Sequence, residues 1–251
     1  MALKHIKAYW WNRHSYLGDV LTPLLLQHFG FAAERTDPPD ADVCVVGSVL
    51  ELIGPQFPGA VIGAGFIADG GPMAMPRARV LAVRGPLSAA RVGIPGVALG
   101  DAGLLCPFLL PVVPRTQVRL GIVPHFKDKE AEAVREIAAR WPREIRIIDV
   151  QDEPIRVLTA IAECEAVLSS SLHGLIAAEA FGRRSGWLVL SDAVIGGGYK
   201  FRDHYGAFGC EAVPQTLNGR ETIDQLDQMA TPKPIDLPSV VNQLASCFRR
   251  L

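Results

Sequence analysis

The sequence predicts an α/β protein of two halves, each a parallel sheet covered by helices, meeting across a cleft. Three observations carry this reading. Short apolar runs of strand length recur along the chain and stop at Gly, Ser or Pro. Segments with helical spacing lie between them, and such alternation favours parallel sheets with helices on both faces. A proline-rich passage, residues 107–115 with Pro107, Pro111 and Pro114, separates the first series from the second and reads as a linker. The predicted units are residues 1–110 and 118–235, with residues 236–251 as a terminal helix packing on the fold.

In the first unit, strands are expected at 6–10, 43–47, 60–63, 80–83 and 97–99. Residues 18–29 place Leu21, Leu24, Leu25 and His28 on one helical side. A helix at 86–92 opens with Pro86, tolerated in the first turn because that N–H has no helical partner anyway. The second unit reads as strand 118–123, helix 127–141, strand 145–150, helix 153–164, strand 166–168, helix 172–181 and strand 186–190. Residues 239–251 form a modest amphipathic helix ending in Arg249 and Arg250. It reads as a packing helix, and its small basic patch offers a peripheral membrane contact as the weaker alternative.

Composition removes several classes of function. The 251 residues are 49% hydrophobic, enough for a full core, and the net charge of −1 argues against a nucleic-acid coat. Five scattered cysteines form no CxxC pair, which suits a reducing compartment and gives no metal site. The start has no secretory pattern, and no run approaches the roughly 18 apolar residues of a spanning helix. A soluble cytoplasmic protein is expected, at most visiting the inner face of a membrane. No HExxH, GxxxxGK[ST], GxSxG or full GxGxxG motif occurs.

Candidate site residues cluster at predicted strand ends, where ligands of parallel sheets bind. Ser169, Ser170 and Ser171 precede a helix containing His173, so hydroxyls and helix-start N–H groups make an anion site. A serine cap with a histidine packed behind it is the equally weighted structural reading. Arg84, in Val83-Arg84-Gly85-Pro86, can clamp a carboxylate or phosphate, or pair with a surface acid. Asp101 after Gly100, and Asp19 after Gly18, can orient a base or bind a sugar hydroxyl, or simply cap a helix. Ser48, Gly63 and Gly65 end strands with small residues that can admit a ligand. His125 ends the first strand of the second half. Residues 196–205 are a glycine loop followed by Lys200, Arg202, Asp203 and several rings, a composition common in ligand-binding loops and in mobile surface loops alike.

In order and spacing, these fragments resemble the polysaccharide pyruvyltransferase family, above all its shorter bacterial exopolysaccharide members. The resemblance runs from Leu17-Gly18-Asp19-Val20-Leu21-Thr22-Pro23 through Gly47-Ser48, Gly63-Ala64-Gly65, Ala82-Val83-Arg84-Gly85-Pro86 and Leu99-Gly100-Asp101-Ala102-Gly103-Leu104-Leu105. It continues through Ile122-Val123-Pro124-His125 and Ser169–Gly174, and ends with Gly198-Tyr199-Lys200-Phe201-Arg202-Asp203-His204-Tyr205. It implies two Rossmann-like domains facing a cleft, as in GT-B glycosyltransferases, with phosphoenolpyruvate as donor and a sugar diol, free or lipid-linked, as acceptor. It implies no cofactor beyond that donor. His173 is then the acid and Arg84 a contact to the donor anion. Tyr16 stands where many members have Asn, and Ser171 where many have Arg, leaving one charge to be supplied by Lys200, Arg202 or Arg183.

Making a ketal from an enol phosphate needs a proton for the methylene carbon, a base for two hydroxyls, and cations for carboxylate and phosphate. The expected roles are His173 as acid, Arg84 as donor clamp and Lys200 beside the leaving phosphate, with Asp101 or His125 acting on the acceptor hydroxyls. A nucleotide-sugar glycosyltransferase and a non-catalytic sugar- or phosphate-binding protein are the rival classes.

Overall fold

The computed structural model describes residues 2–13 and 16–251. The chain opens with β1 (Lys4–Tyr9), α1 (Leu17–His28) and β2 (Phe31–Arg35), followed by β3 (Val43–Cys44) and α2 (Leu50–Ile53). Next come β4 (Ala60–Ile62), β5 (Arg79–Val83), α3 (Pro86–Val92) and β6 (Ala98–Leu99). These strands form one sheet in the order β2-β1-β3-β4-β5-β6, and every pairing is parallel. Strand β2 carries no apolar alternation, since only Phe31 of its five residues is buried. It forms because α1 returns the chain alongside β1, pairing Lys4 with Phe31 through Ala8 with Arg35.

A 3-10 helix, Ala102–Leu109, follows, with the Asp101 carboxylate accepting the Gly103 N–H at 2.8 Å. The predicted linker thus begins inside an ordered element. Its apolar residues Ala102, Leu104, Leu105 and Cys106 are buried against α1 and later helices.

The second series is β7 (Val118–Val123), α4 (Glu132–Arg140), β8 (Ile145–Ile147), α5 (Pro154–Ala162), β9 (Cys164–Ser169), α6 (Leu172–Ala180) and β10 (Arg184–Trp187). Its sheet is β10-β9-β7-β8, again entirely parallel. Helix α4 starts at Glu132 and not at 127, because Asp128 is turned inward to accept the hydroxyls of Ser170 (2.7 Å) and Ser191. The chain closes with α7 (Tyr199–Gly206), α8 (Ile223–Met229) and α9 (Leu237–Phe248). Two parallel α/β units are therefore present, as expected.

The stretch read as a loop after the glycines is helix α7. Gly198, at φ 78°, turns the chain into it, and Tyr199, Lys200, Phe201, Asp203, His204 and Tyr205 are buried. It packs on α3 of the first unit, while α9 packs on β4, β5 and β6. One apolar core joins Leu21 and Leu25 of α1, Leu104 and Leu105, Leu172 and Ile176 of α6, and Leu244 and Phe248 of α9. Among the described residues, no helix is long and apolar enough to cross a membrane.

Candidate active site

In each sheet the strand order reverses once, between β1 and β3 and between β7 and β9. Chains leaving such neighbours go to opposite faces, so a crevice opens beyond their carboxyl ends. Here the two crevices share one pocket. Trp11, Tyr16 and Asp19 reach it after β1, Ser48 and Val49 after β3, His125, Phe126 and Lys127 after β7, and Ser171, Leu172 and His173 after β9. Lys200 of α7 completes the polar floor; Leu52, Ile67 and Ile195 form an apolar rim. The cavity measures about 360 Å³, within the range of small-molecule sites.

His173 is buried in the first turn of α6, its ring lying against the backbone of Gly18. A Cβ on Gly18 would stand 2.1 Å from Nδ1. On the other side, Nε2 faces Asp101 Oδ1 at 3.9 Å, too far for a hydrogen bond. Neither Nε2 nor Asp101 Oδ2 has a hydrogen-bond partner among the described residues. Burial pulls the His173 pKa down to about 4; Asp101 pulls it up, while Arg84, Lys200 and His204 add to the lowering. The ring expected to be an acid is thus neutral at ordinary pH before any ligand binds.

Asp19 behaves in the opposite way. It is buried, one of its oxygens has no partner among the described residues, and burial raises its pKa to about 8 against the opposing influence of Tyr16 and Lys200. Lys200 is a largely buried residue lining the cavity, and desolvation followed by the fields of Arg84 and Lys127 lowers its pKa to about 8, against the opposing fields of Asp128 and Asp19. His125 is lowered to about 4, chiefly by burial and then by Lys200. Its Nδ1 accepts the Lys127 N–H at 3.2 Å, which places the proton of the neutral ring on Nε2.

Several predicted site residues stand behind the pocket and not in it. Arg84 is fully buried and does not line the cavity. Its guanidinium donates to Asp203 Oδ2 (3.0 Å), Ser48 Oγ (2.7 Å) and the Phe66 carbonyl. Asp203 also accepts the N–H and hydroxyl of Ser88, so it locks α7 to α3. Arg84 therefore supports Ser48, which does line the cavity, and the expected direct clamp on a donor anion is not formed by its observed position. Arg202 is exposed and holds the Gly197 carbonyl at 2.8 Å. Arg183 follows α6 at the end away from Ser171 and cannot supply the missing charge.

Serine roles divide in the same way. Ser169 spends its hydroxyl on the carbonyls of Val123 and Ser171, and Ser170 bridges the His125 N–H to Asp128. Of these three serines Ser171 alone lines the cavity, and its side chain makes no cap bond. The glycines admit protein and not ligand: the space beside Gly18 holds His173, that beside Gly63 holds Ala102, and that beside Gly65 holds the Arg84 guanidinium.

Sequence reasoning missed Trp11, Phe126, Lys127 and the apolar rim. The signal was available, since rings following β1 and β7 stand at the same strand ends as His125. Tyr16 and Phe126 stack with centroids 5.6 Å apart, and Leu52 and Ile195 are 47% and 57% exposed at the mouth. Among the described residues, no group of three or more His, Cys, Asp or Glu side chains is arranged to hold a metal ion.

Comparison with known proteins bears on this arrangement. The succinoglycan biosynthesis protein ExoV of Rhizobium meliloti (strain 1021) is 29% identical over 220 residues, which are 83% of this chain and 66% of that protein. The uncharacterized protein L143 of Acanthamoeba polyphaga mimivirus is 29% identical over 122 residues, 47% of this chain and 42% of that protein. The chain thus spans less than two thirds of either relative. A solved structure, the iron-containing dodecameric glycosyltransferase TibC from enterotoxigenic E. coli H10407, covers 100% of this chain and 80% of its own. Its 12% identity and TM-score of 0.33 are too slight to carry an argument. The polysaccharide pyruvyl transferase family model matches residues 7–192, taking in both switch points and the His173 turn, and the chain belongs to that family.

Proposed function

We propose that this chain transfers the enolpyruvyl unit of phosphoenolpyruvate to a sugar diol of a polysaccharide precursor, closing a pyruvate ketal and releasing phosphate. The observation that carries the reading is the largely buried Lys200, whose cationic side chain lines one pocket with Asp19 and His173. A desolvated cation is costly, and an anionic ligand relieves that cost. The start of α6 at Ser171 adds a helix dipole and free N–H groups to the same side. Lys200 and this helix start hold the phosphate and carboxylate, with Ser48, fixed by Arg84, beside them. The imidazole and the carboxyl exchange protons with the reacting carbon and the hydroxyls. Trp11, Tyr16 and Phe126 offer faces on which a pyranose ring can lie.

The test is to incubate the protein with phosphoenolpyruvate and a panel of glycosides bearing free diols. A product heavier by one pyruvate ketal, formed with equimolar phosphate, is expected. Turnover of a nucleotide-sugar in place of phosphoenolpyruvate, or no product with any diol, refutes the proposal.

A further inference from the structure

Resting on the pyruvyltransferase reading, we infer that Asp19 is the acid that protonates the methylene carbon of the donor, and that His173 is the base that takes the acceptor proton. This reverses the role that the Leu-His turn suggests for His173.

The geometry that separates the two groups is the side from which each is backed. Behind His173 stands the carboxylate of Asp101, with the unpartnered Nε2 directed toward it at 3.9 Å. A carboxylate behind an imidazole stabilises the imidazolium once the ring has accepted a proton, which is the arrangement of a base. Asp19 has no such cation in contact. It lies one residue beyond the glycine on which the His173 ring packs, so the two side chains share one wall. The groups acting on it are the phenols of Tyr16, at the N-cap of its helix, and Tyr9 from β1, and the Lys200 ammonium from α7, while the imidazole from α6 packs on the neighbouring Gly18. Its unpartnered oxygen is buried, a setting that favours the neutral carboxyl over the carboxylate. The pKa directions agree: Asp19 raised to about 8 holds its proton at neutral pH, and His173 lowered to about 4 has none to give.

The protons then balance over two steps. The C2–C3 π pair takes the Asp19 proton, forming a methyl group and a cationic C2. The first hydroxyl oxygen bonds to C2 and its proton passes to His173. In the second step the C2–O bond to phosphate breaks and the leaving phosphate receives the His173 proton. The second hydroxyl bonds to C2 and returns its proton to the Asp19 carboxylate. Both groups end as they began, and the products are the ketal carboxylate and hydrogen phosphate.

The test is kcat against pH at saturating phosphoenolpyruvate for the wild type, Asp19→Asn and His173→Asn. The wild type should lose kcat on an alkaline limb and on an acid limb, both moved to higher pH by the bound anion. Asp19→Asn should lack the alkaline limb, lose about 10²–10⁴-fold in kcat and keep its KM for phosphoenolpyruvate within a few-fold. His173→Asn should keep the alkaline limb and lack the acid one. Lys200 titrates in a similar range, but it acts on binding and registers in kcat/KM. An alkaline limb that persists in Asp19→Asn, or that disappears in His173→Asn, overturns the assignment. A carboxyl ¹³C titration, wild type minus Asp19→Asn, needs no turnover. A midpoint near 8 is expected, and one near the ordinary value of about 4 overturns the inference. A wild type that never consumes phosphoenolpyruvate sinks the donor reading instead, and the carboxyl titration tells the two failures apart.

Discussion

Gly18→Ala is a perturbation whose effects on stability and on activity should part company. Gly18 lies in the first turn of α1 with an ordinary helical backbone, so alanine suits the helix and can stabilise it by roughly 0.5–1 kcal/mol. The new methyl, however, would stand 2.1 Å from Nδ1, 2.4 Å from Cε1 and 2.7 Å from Cγ of His173. Ordinary contact begins at 3.4 Å, so the ring must retreat by about 1.3 Å. Overpacking of this kind costs about 1–3 kcal/mol, which the helix gain partly offsets. Net destabilisation should therefore be no more than about 2.5 kcal/mol by urea unfolding. A misplacement near 1 Å can cost a reaction about 10²-fold, so kcat in a phosphate-release assay should fall by at least that much. A variant that keeps wild-type kcat would show that the ring does not need its observed position, and the proton-transfer role of His173 would fail.

The buried Arg84–Asp203 pair is structural, with both side chains fully buried, so Asp203→Asn should destabilise by about 3–5 kcal/mol in urea; a loss below about 1 kcal/mol contradicts this. Arg202→Ala, which removes an exposed contact to Gly197, should leave KM for phosphoenolpyruvate unchanged within about 2-fold, and a large rise would return Arg202 to the pocket. His173 and His125 are both lowered from the usual histidine value to about 4. Their contribution is complete above about 6.5 and is lost as pH falls toward 4, at roughly 3 kcal/mol each, so His173→Gln should show a shallower fall of Tm across that window. Asp19 has the opposite sign, because its pKa is raised: its contribution is present in acid and lost as pH climbs toward 8. A wild type whose Tm is flat from pH 6.5 to 4.5 contradicts the buried, neutral state of both rings.

Strand ends were legible because buried parallel strands are continuous apolar runs that must stop where the backbone turns. That logic points to Ser48, His125, Ser171 and His173 at or just after strand ends, and all four line one pocket. It failed for β2, whose Ala, Glu and Arg residues follow no strand pattern and pair only because α1 brings them beside β1. It failed for α7 as well, since a polar, aromatic cluster after glycines looks like a surface loop unless its partner is known. That partner is Arg84, which lies 119 residues from Asp203 in sequence. For the same reason Arg84 read as an exposed clamp, when its donors are already occupied by Asp203, Ser48 and Phe66. Protonation states were beyond the sequence altogether. Asp19 and His173 have ordinary neighbours along the chain, and it is burial that raises the pKa of the one and lowers that of the other.

In the proposed reaction the pocket at the facing strand ends captures a small enol phosphate through Lys200. Titration calorimetry of phosphoenolpyruvate into the wild type and into Lys200→Met tests it most directly. Saturable binding to the wild type and at least about a 10-fold weaker Kd for the variant are expected, since removing a charge-assisted contact is worth roughly 1.5–3 kcal/mol. Equal binding by both proteins, or binding of a nucleotide-sugar in the absence of any for phosphoenolpyruvate, would contradict it.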